Sequence, residues 1–398
     1  MPFVSRALLM ALVLTVPAAA QRVFVVAPAL GPGVDFTIVQ SAIDAASTGD
    51  TILVRAGSYD PFVVDGKGLV VVGEGRVDVV GIQQRRGIDI RNVTANQSVV
   101  VRGFWVSGLG TLLRVDRCAG AVTVEDVRVD GVQDERLGTV TQSQQVTWTR
   151  CVLVSGTTGL FPVSSAVLIT DAKLFLFDSE CRFRSIPQFG AGGAGIVVTR
   201  GDLYASSSTF AGSQGAPAQL IGSQCFQPPG DGGPAIELTD ATSRAQLLDC
   251  VLIPGAAGSF AVACPPANPG APVAGLGSAQ FLTGFENALT TTSPMRGGQT
   301  ANFTFQGVPG NTAVLLLSPL AAPTLLPPCH GAMFTDLSAL VVVTIGVVPP
   351  SGTLRIGVPV PTSFGAPCVT LFTQVVGIAP SGCLWGTASA ITLLASQS

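Results

Sequence analysis

Between residues 99 and 252 the apolar positions come in pairs two apart, with a two-residue gap between one pair and the next. The first sets are Val99-x-Val101-x-x-Phe104-x-Val106, Val122-x-Val124-x-x-Val127-x-Val129 and Val146-x-Trp148-x-x-Cys151-x-Leu153. Leu203-x-Ala205-x-x-Ser208-x-Phe210 and Ala245-x-Leu247-x-x-Cys250-x-Leu252 follow. A period of two is that of a strand, because successive side chains point to opposite faces. Each unit therefore predicts two short strands joined at a bend. Leu176…Cys181-x-Phe183 matches three of the four columns, with Asp178 where an apolar residue is expected. A one-residue bulge that turns Phe177 inward is the expectation there. On this reading the column Phe104, Val127, Cys151, Cys181, Ser208, Cys250 has intervals of 23, 24, 30, 27 and 42 residues.

One such unit cannot bury its apolar face alone, whereas stacking sets each column on its own kind through the axis of a coil. The predicted fold is all-β, a right-handed parallel β-helix. The long last interval contains Ala211–Pro234, rich in Gly, Pro and Gln and holding Cys225, and predicts a loop thrown out from the stack. Ahead of the repeats, Ile38, Val39, Ala42, Ile43 and Ala46 form one face of a short helix within Asp35–Ala46. Gly49-Asp50 ends it and Thr51–Val54 opens the first strand. A helix over the end of the stack would cover its unpaired backbone.

These residues resemble a known family. Asp35-Phe-Thr-Ile-Val-Gln-Ser-Ala-Ile-Asp-Ala-Ala, then Gly49-Asp50-Thr51-Ile52-Leu53-Val54, Ala56-Gly57-Ser58-Tyr59 and Phe62-Val-Val-Asp-Gly-Lys-Gly-Leu-Val-Val-Val-Gly73, are similar to the opening segment of the pectin-lyase-like superfamily. The resemblance covers about residues 30 to 255 and implies the fold. It leaves the chemistry open, because the superfamily includes lyases, hydrolases, esterases and non-catalytic adhesins. Pectinesterase-like members pair a Gln-Asp element with a second Asp and an Arg. Gln133-Asp134-Glu135-Arg136 is similar to the first part, but its Asp-bearing partner is missing. The Asn-x-Asp and Asp-Asp elements of polygalacturonase-like members are absent from the sequence. Pectate-lyase-like members use acidic residues for calcium and an Arg or Lys base, a demand this chain meets in part with Glu125, Asp126 and Glu180.

The outward positions supply the candidate site. Beside the bend lie Glu125-Asp126, Thr149-Arg150, Ser179-Glu180, Ser206-Ser207 and Asp249. One position past the Cys151 column lie Trp105, Arg128, Val152, Arg182, Thr209 and Val251. Coils stacked about 4.8 Å apart would set Trp105, Arg128 and Arg182 in a strip beside Glu125, Asp126 and Glu180, with Arg150 a further candidate for carbohydrate binding. An aromatic ring among charges suits a sugar chain. Equally, outward positions of mixed sign can simply pair across coils. Trp148 lies in an inward column with Val101, Val124, Ala205 and Leu247, and is expected in the core. Cys151 and Cys181, read as neighbours in one column, are either a disulfide or stacked free thiols.

Composition narrows the classes. Of 398 residues, 47 are Gly and 28 Pro, and charged residues make up only 11%, which favours strands and turns. With a net charge of −3, a nucleic-acid partner is not expected. Arg6, the apolar run Ala7–Val16 and Ala18-Ala19-Ala20 predict a secretory signal over residues 1–20, cut before Gln21. The expected location is secreted, extracellular or in the cell envelope, with no transmembrane segment in the mature chain. Leu337–Val348 is too short for a span and is expected as a buried strand. Nine cysteines suit an oxidising compartment, with at least one unpaired. The sole histidine, His330, beside Cys329, gives no zinc set, so a loop disulfide or an inert pair is expected there and no metal site is assigned.

Only Glu286, Arg296, Asp336 and Arg355 carry charge from Leu276 onward. That shift predicts a β-helix over 21–257, a Pro/Gly-rich linker over 258–275, and an antiparallel β-sandwich over 276–398. The sandwich's neutral surface suits docking to a cell-surface component or to itself. The function expected is a non-catalytic surface or envelope protein binding extracellular polysaccharide along the helix, with no cofactor. The alternative is a calcium-dependent lyase or pectinesterase-like enzyme acting on uronic-acid polymers.

Overall fold

The computed structural model describes residues 22–81, 87–131, 136–155, 165–184, 187–282, 288–293, 295–319, 321–324, 329, 333–335, 337–362, 368–380 and 382–394. The expected signal segment, Gln133-Asp134-Glu135 and His330 lie outside them. The chain forms two compact units, one spanning Val23–Gln280 and the other built from Phe281 onward.

Val23–Gln280 is a parallel β-helix. Its strands stack in a 15-stranded and an 8-stranded sheet, joined coil to coil in parallel register. The strands Thr51–Tyr59, Val70–Gly81 and Ser98–Gly108 run through the bend unbroken. Later coils divide there, as in Ala121–Glu125 followed by Arg128–Gly131 and Gln145–Thr149 followed by Val152–Val154. The division is made by a left-handed residue in each coil. Asp126, Arg150, Asp178, Ser207 and Asp249 have φ from 49° to 53°. A second ladder, Asn92, Arg117, Gln142, Asp171 and Arg200, has φ from 46° to 55° and follows the strands of the smaller sheet.

A left-handed residue other than glycine costs about 1–2 kcal/mol, and stacking offsets that cost with backbone bonds. Asp126 N–H donates to Thr149 O at 3.0 Å, Arg150 to Phe177 O at 2.9 Å and Asp178 to Ser206 O at 3.1 Å. Gln142→Val, placing a β-branched side chain at φ 46°, is expected to lower stability by about 1–2 kcal/mol in urea unfolding, while Gln142→Asn stays near neutral.

The strand register corrects one coil of the repeat. Leu153 faces Cys181 and Val152 faces Glu180, while Trp148 faces Leu176. Ser179, not Cys181, therefore occupies the Cys151 column, the motif is Leu174-x-Leu176-x-x-Ser179-x-Cys181, and no bulge is present. Phe177 pairs with Thr149 in the row that also holds Glu125 and is fully buried, outside the cluster that fills the coil. A serine looks wrong for an interior position, but its own backbone satisfies it. Ser179 Oγ donates to Phe177 O at 2.8 Å and accepts from Cys151 N at 3.0 Å. Ser208, Ser143 and Cys118 make the same return bond to the carbonyl two residues back. These small polar side chains lock the turn from inside.

The interior is continuous along the coil axis, from Val26 and Ile52 to Ala245 and Leu247. Trp148 is fully buried in it, as expected. A Cβ on Gly138 would come within 2.8 Å of the Trp148 ring, so this glycine makes room for the indole. At the N-terminal end lies the helix Val39–Ala45, with Val39, Ala42 and Ile43 buried. Its Gln40 side chain accepts from Val63 N at 2.7 Å and donates to Val63 O at 3.2 Å, standing in for a neighbouring strand. Lys67 Nζ donates to Ile43 O, Asp44 O and Ala46 O, closing the helix C-terminus.

The two segments read as an external loop and a linker are instead part of one assembly. Residues 190–193, 212–216, 230–234, 255–258 and 268–271 bond to one another through their backbones. Gly192 N donates to Asp231 O, Gly233 N to Ser213 O, Gly255 N to Gly233 O and Gly270 N to Gly255 O, each at 2.8 Å. Glycines three apart (212 and 215, 230 and 233, 255 and 258) suit the three-residue turn of polyproline II. A Cβ on Gly230 would lie 1.7 Å from Gly190 O, and one on Gly258 1.8 Å from Ala216 O. The disulfide Cys225–Cys264 ties the hairpin of Gln219–Ile221 and Gln224–Gln227 to this bundle. Beyond it the coil resumes. Val273–Gly275 pairs with Ile236–Leu238, and Ser278–Leu282 lies beside Arg244–Leu248, so β-helix strands extend past residue 257.

In the second unit, Ala288–Thr291, Thr300–Gln306 and Thr353–Pro359 form an antiparallel sheet. Thr312–Ser318, Val341–Val347, Cys368–Ala379 and Gly382–Leu394 form another, joined by Met295–Arg296. Leu289, Phe303 and Phe305 from the first share a core with Leu315, Leu317, Val375 and Ile391 from the second, which is a β-sandwich. Val341–Val347 is an edge strand with Val342 and Val347 exposed, not the buried strand expected. Among the described residues no helix is long and apolar enough to cross a membrane.

Candidate functional site

Register places every outward candidate. Asp78, Trp105, Arg128, Val152, Glu180, Thr209 and Val251 follow one another in a single row. Arg182 is not in it. It belongs two positions on, in the row of Asp130 and Val154, because the true coil alignment is shifted by the same two residues that moved Cys181. Within that coil Arg182 forms an ion pair with Glu180.

Glu125, Asp126 and Arg150 do come together, with Arg102 as a fourth member that the sequence reading missed. Arg102 faces Glu125 across adjacent coils. Its guanidinium lies 3.1 Å from Asp126 Oδ2 and 3.7 Å from Glu125 Oε1. Arg150, from the coil on the other side, reaches Asp126 Oδ1 at 2.9 Å and also bonds Glu125. Glu125 is 1% exposed and Arg102 14%. Burial opposes the Arg150 charge, but Glu125 and Asp126 outweigh it and hold the guanidinium above its ordinary value. Two cations and two anions are thereby balanced at the bend.

Trp105 sits between cations. The Arg76 guanidinium lies 4.1 Å from its ring centroid and that of Arg128 4.8 Å. These arginines come from the strands on either side of Ser98–Gly108, a stacking that favours the quadrupole of the indole face. Trp105 Nε1 donates to Asp130 Oδ2 at 2.6 Å, and Arg128 Nε donates to the same oxygen at 2.8 Å. Arg76 pairs with Asp78 at 3.1 Å. The ring is therefore clamped. Arg76 escaped the sequence reading because Val70–Gly81 lacks the divided motif, although an Arg shortly before the apolar alternation of Val77 and Val79 was the available signal.

The three acidic calcium candidates do not converge. Glu180 lies two coils from Asp126, about 10 Å by strand spacing, beyond the reach of a shared sphere of oxygens 2.3–2.6 Å from an ion. Glu125 and Asp126 already bind guanidinium groups. Among the described residues no group of three or more His, Cys, Asp or Glu side chains is arranged to hold a metal ion. A depression of about 300 Å³ lined by Thr37, Ile38, Ser58, Tyr59, Asp60 and Val80 lies beside the capping helix.

Cys329 pairs with Cys383. Cys118, Cys151, Cys181 and Cys250 are free thiols, while the side chain of Cys368 lies outside the described residues. Burial pushes Cys151 and Cys250 up to about 12 and raises Cys118 and Cys181 as well. Such thiols stay protonated and inert. Iodoacetamide labelling at pH 8 with peptide mapping is expected to leave these four unmodified in the native protein and to modify all four in denaturant. Because the unfolded thiol ionises from about 9, unfolding free energy should decline as pH rises above that value.

No family model matches this chain, and no curated protein matches it. Among solved structures, it is similar to the enzymatically active domain of tailspike protein 2 of bacteriophage CBA120, at 12% identity with a TM-score of 0.26, over 94% of this chain and 76% of that one.

Proposed function

We propose that this chain is a non-catalytic β-helix protein of the cell surface or envelope that binds polysaccharide along the outward rows beside the bend. The observation that carries this reading is the Arg76–Trp105–Arg128 stack. Its arginine side chains, paired with Asp78 and Asp130, are still 65% and 48% exposed, and they offer fork-shaped donors on the rim of a fixed indole. Such donors suit the carboxylates or sulfates of an acidic glycan. The carboxylates a lyase or esterase would need are held in ion pairs with Arg102, Arg150 and Arg182, which supports binding over catalysis. In the same reading the segment 1–20 directs export, and the low-charge C-terminal unit contacts a cell-surface component or a second copy.

Affinity electrophoresis through gels cast with acidic and neutral polysaccharides tests this. Retardation in at least one acidic gel is expected, weakened about tenfold (1.4 kcal/mol) by Trp105→Ala. Free migration of the unmodified protein in every gel would remove the binding claim.

A further inference from the structure

We infer that the depression beside the capping helix holds a neutral hexose at the end of the bound glycan, an inference that rests on reading the outward row as a polysaccharide track. Register connects the two places. Ser58 faces Asp78, and Asp78 faces Trp105 in the next strand, so Ser58 extends the row that carries the Arg76–Trp105–Arg128 stack. Trp105 is two strands away, about 10 Å by strand spacing. The row stops at Ser58. Among the described residues, the strand beyond Thr51–Tyr59 is Val23–Val26, and it pairs with Thr51–Val54 alone. Thr37 and Ile38, the two residues before the helix Val39–Ala45, line the depression there instead. A glycan following the row meets them as an end wall.

The lining has three kinds of group. Asp60 supplies a carboxylate, Thr37 and Ser58 supply hydroxyls, and Ile38 and Val80 supply apolar surface, 51% and 36% exposed. The Tyr59 hydroxyl is spent on Arg55 O at 2.8 Å. Among the described residues no hydrogen bond or ion pair engages the Asp60 carboxylate or the hydroxyls of Thr37 and Ser58. The acids along the stack differ, because Asp78 is paired with Arg76 and Asp130 with Arg128. A hexose supplies the donors that Asp60 lacks. Two adjacent sugar hydroxyls donate to one carboxylate in charge-assisted bonds, which are stronger than neutral ones. Its remaining oxygens meet Thr37 and Ser58, and its C–H face lies on Ile38 and Val80. A uronate or sulfated sugar suits the arginines of the stack but is repelled by Asp60. An ammonium group would satisfy Asp60 alone, and an exposed ion pair contributes little. A volume of about 300 Å³ is at the small end for ligand sites and suits one ring, not a run of them.

Titration of the full chain with glucose, galactose and mannose, followed by saturation-transfer NMR, tests the inference. Binding of at least one is expected, weakened about tenfold by Asp60→Ala and in the same direction by Thr37→Val. Melting temperature should not change in either variant, since neither side chain bonds to the rest of the fold. Trp105→Ala should leave hexose binding intact, and galacturonic acid should not compete. Binding of none of the three hexoses, or binding indifferent to both substitutions, would overturn the inference. Glucosamine bound more tightly than glucose would assign the depression to an amine and overturn it as well. Gel retardation reads the track separately. Retardation without hexose binding would reject the end site and leave the stack standing. Hexose binding without retardation in any gel would refute the track, and with it the role of the depression as a chain end.

Discussion

Gly230→Val is expected to cost about 3 kcal/mol, read as a lower urea midpoint with the slope preserved. The Cβ alone would stand 1.7 Å from Gly190 O and 3.0 Å from Ala216 N. Both neighbours are backbone, so no side chain can swing aside. The same bundle bonds Gly230 N to Ala216 O and Gly258 N to Gly230 O, both at 2.8 Å, and any shift that admits a methyl group breaks these as well. Gly31→Ala provides the control. Nothing lies within 4 Å of its added Cβ, and its effect should stay within about 0.5 kcal/mol. Equal effects at the two positions would mean that the segments are not packed backbone to backbone.

Removing the Glu125 charge should be comparably severe. Glu125→Ala, and the nearly isosteric Glu125→Gln, are each expected to lower stability by about 3 kcal/mol. Either change leaves Arg102 and Arg150, 14% and 25% exposed, both on Asp126 without the buried Glu125 charge between them. Similar losses in the two variants would assign the effect to charge and not to volume. Pairing Glu125→Gln with Arg102→Leu should recover part of the loss, because the second change removes a cation the first left unbalanced. A full loss with alanine and none with glutamine would mean that Glu125 acts by filling space.

The coil was legible in the sequence because its interior columns are apolar and spaced by two. It became illegible where an interior position is polar. Ser179 satisfies its hydroxyl through Phe177 O and Cys151 N, and a search for apolar residues passed over it to Cys181. That slip of two residues carried Arg182 into the wrong outward row. The glycine bundle was unreadable for a different reason. Gly, Pro and Gln at low charge look like loop, and the three-residue glycine spacing gains meaning only when five distant segments are brought side by side. At the bend, Glu125, Asp126 and Arg150 were all among the outward positions read from the sequence, and the structure brings them together. Arg76 was not, since its coil lacks the paired motif, and Arg102 was passed over although it stands in the gap of Val99-x-Val101-x-x-Phe104-x-Val106.

Product mass tests the proposal that this chain does not cut polysaccharide. The protein would be incubated with calcium on pectins, alginates and neutral glycans across a range of pH. With Glu125 and Asp126 bound to arginines and Glu180 bound to Arg182, the expected result is polymers of unchanged mass. Unsaturated or de-esterified oligomers, abolished by chelation and by Asp126→Ala, would contradict it.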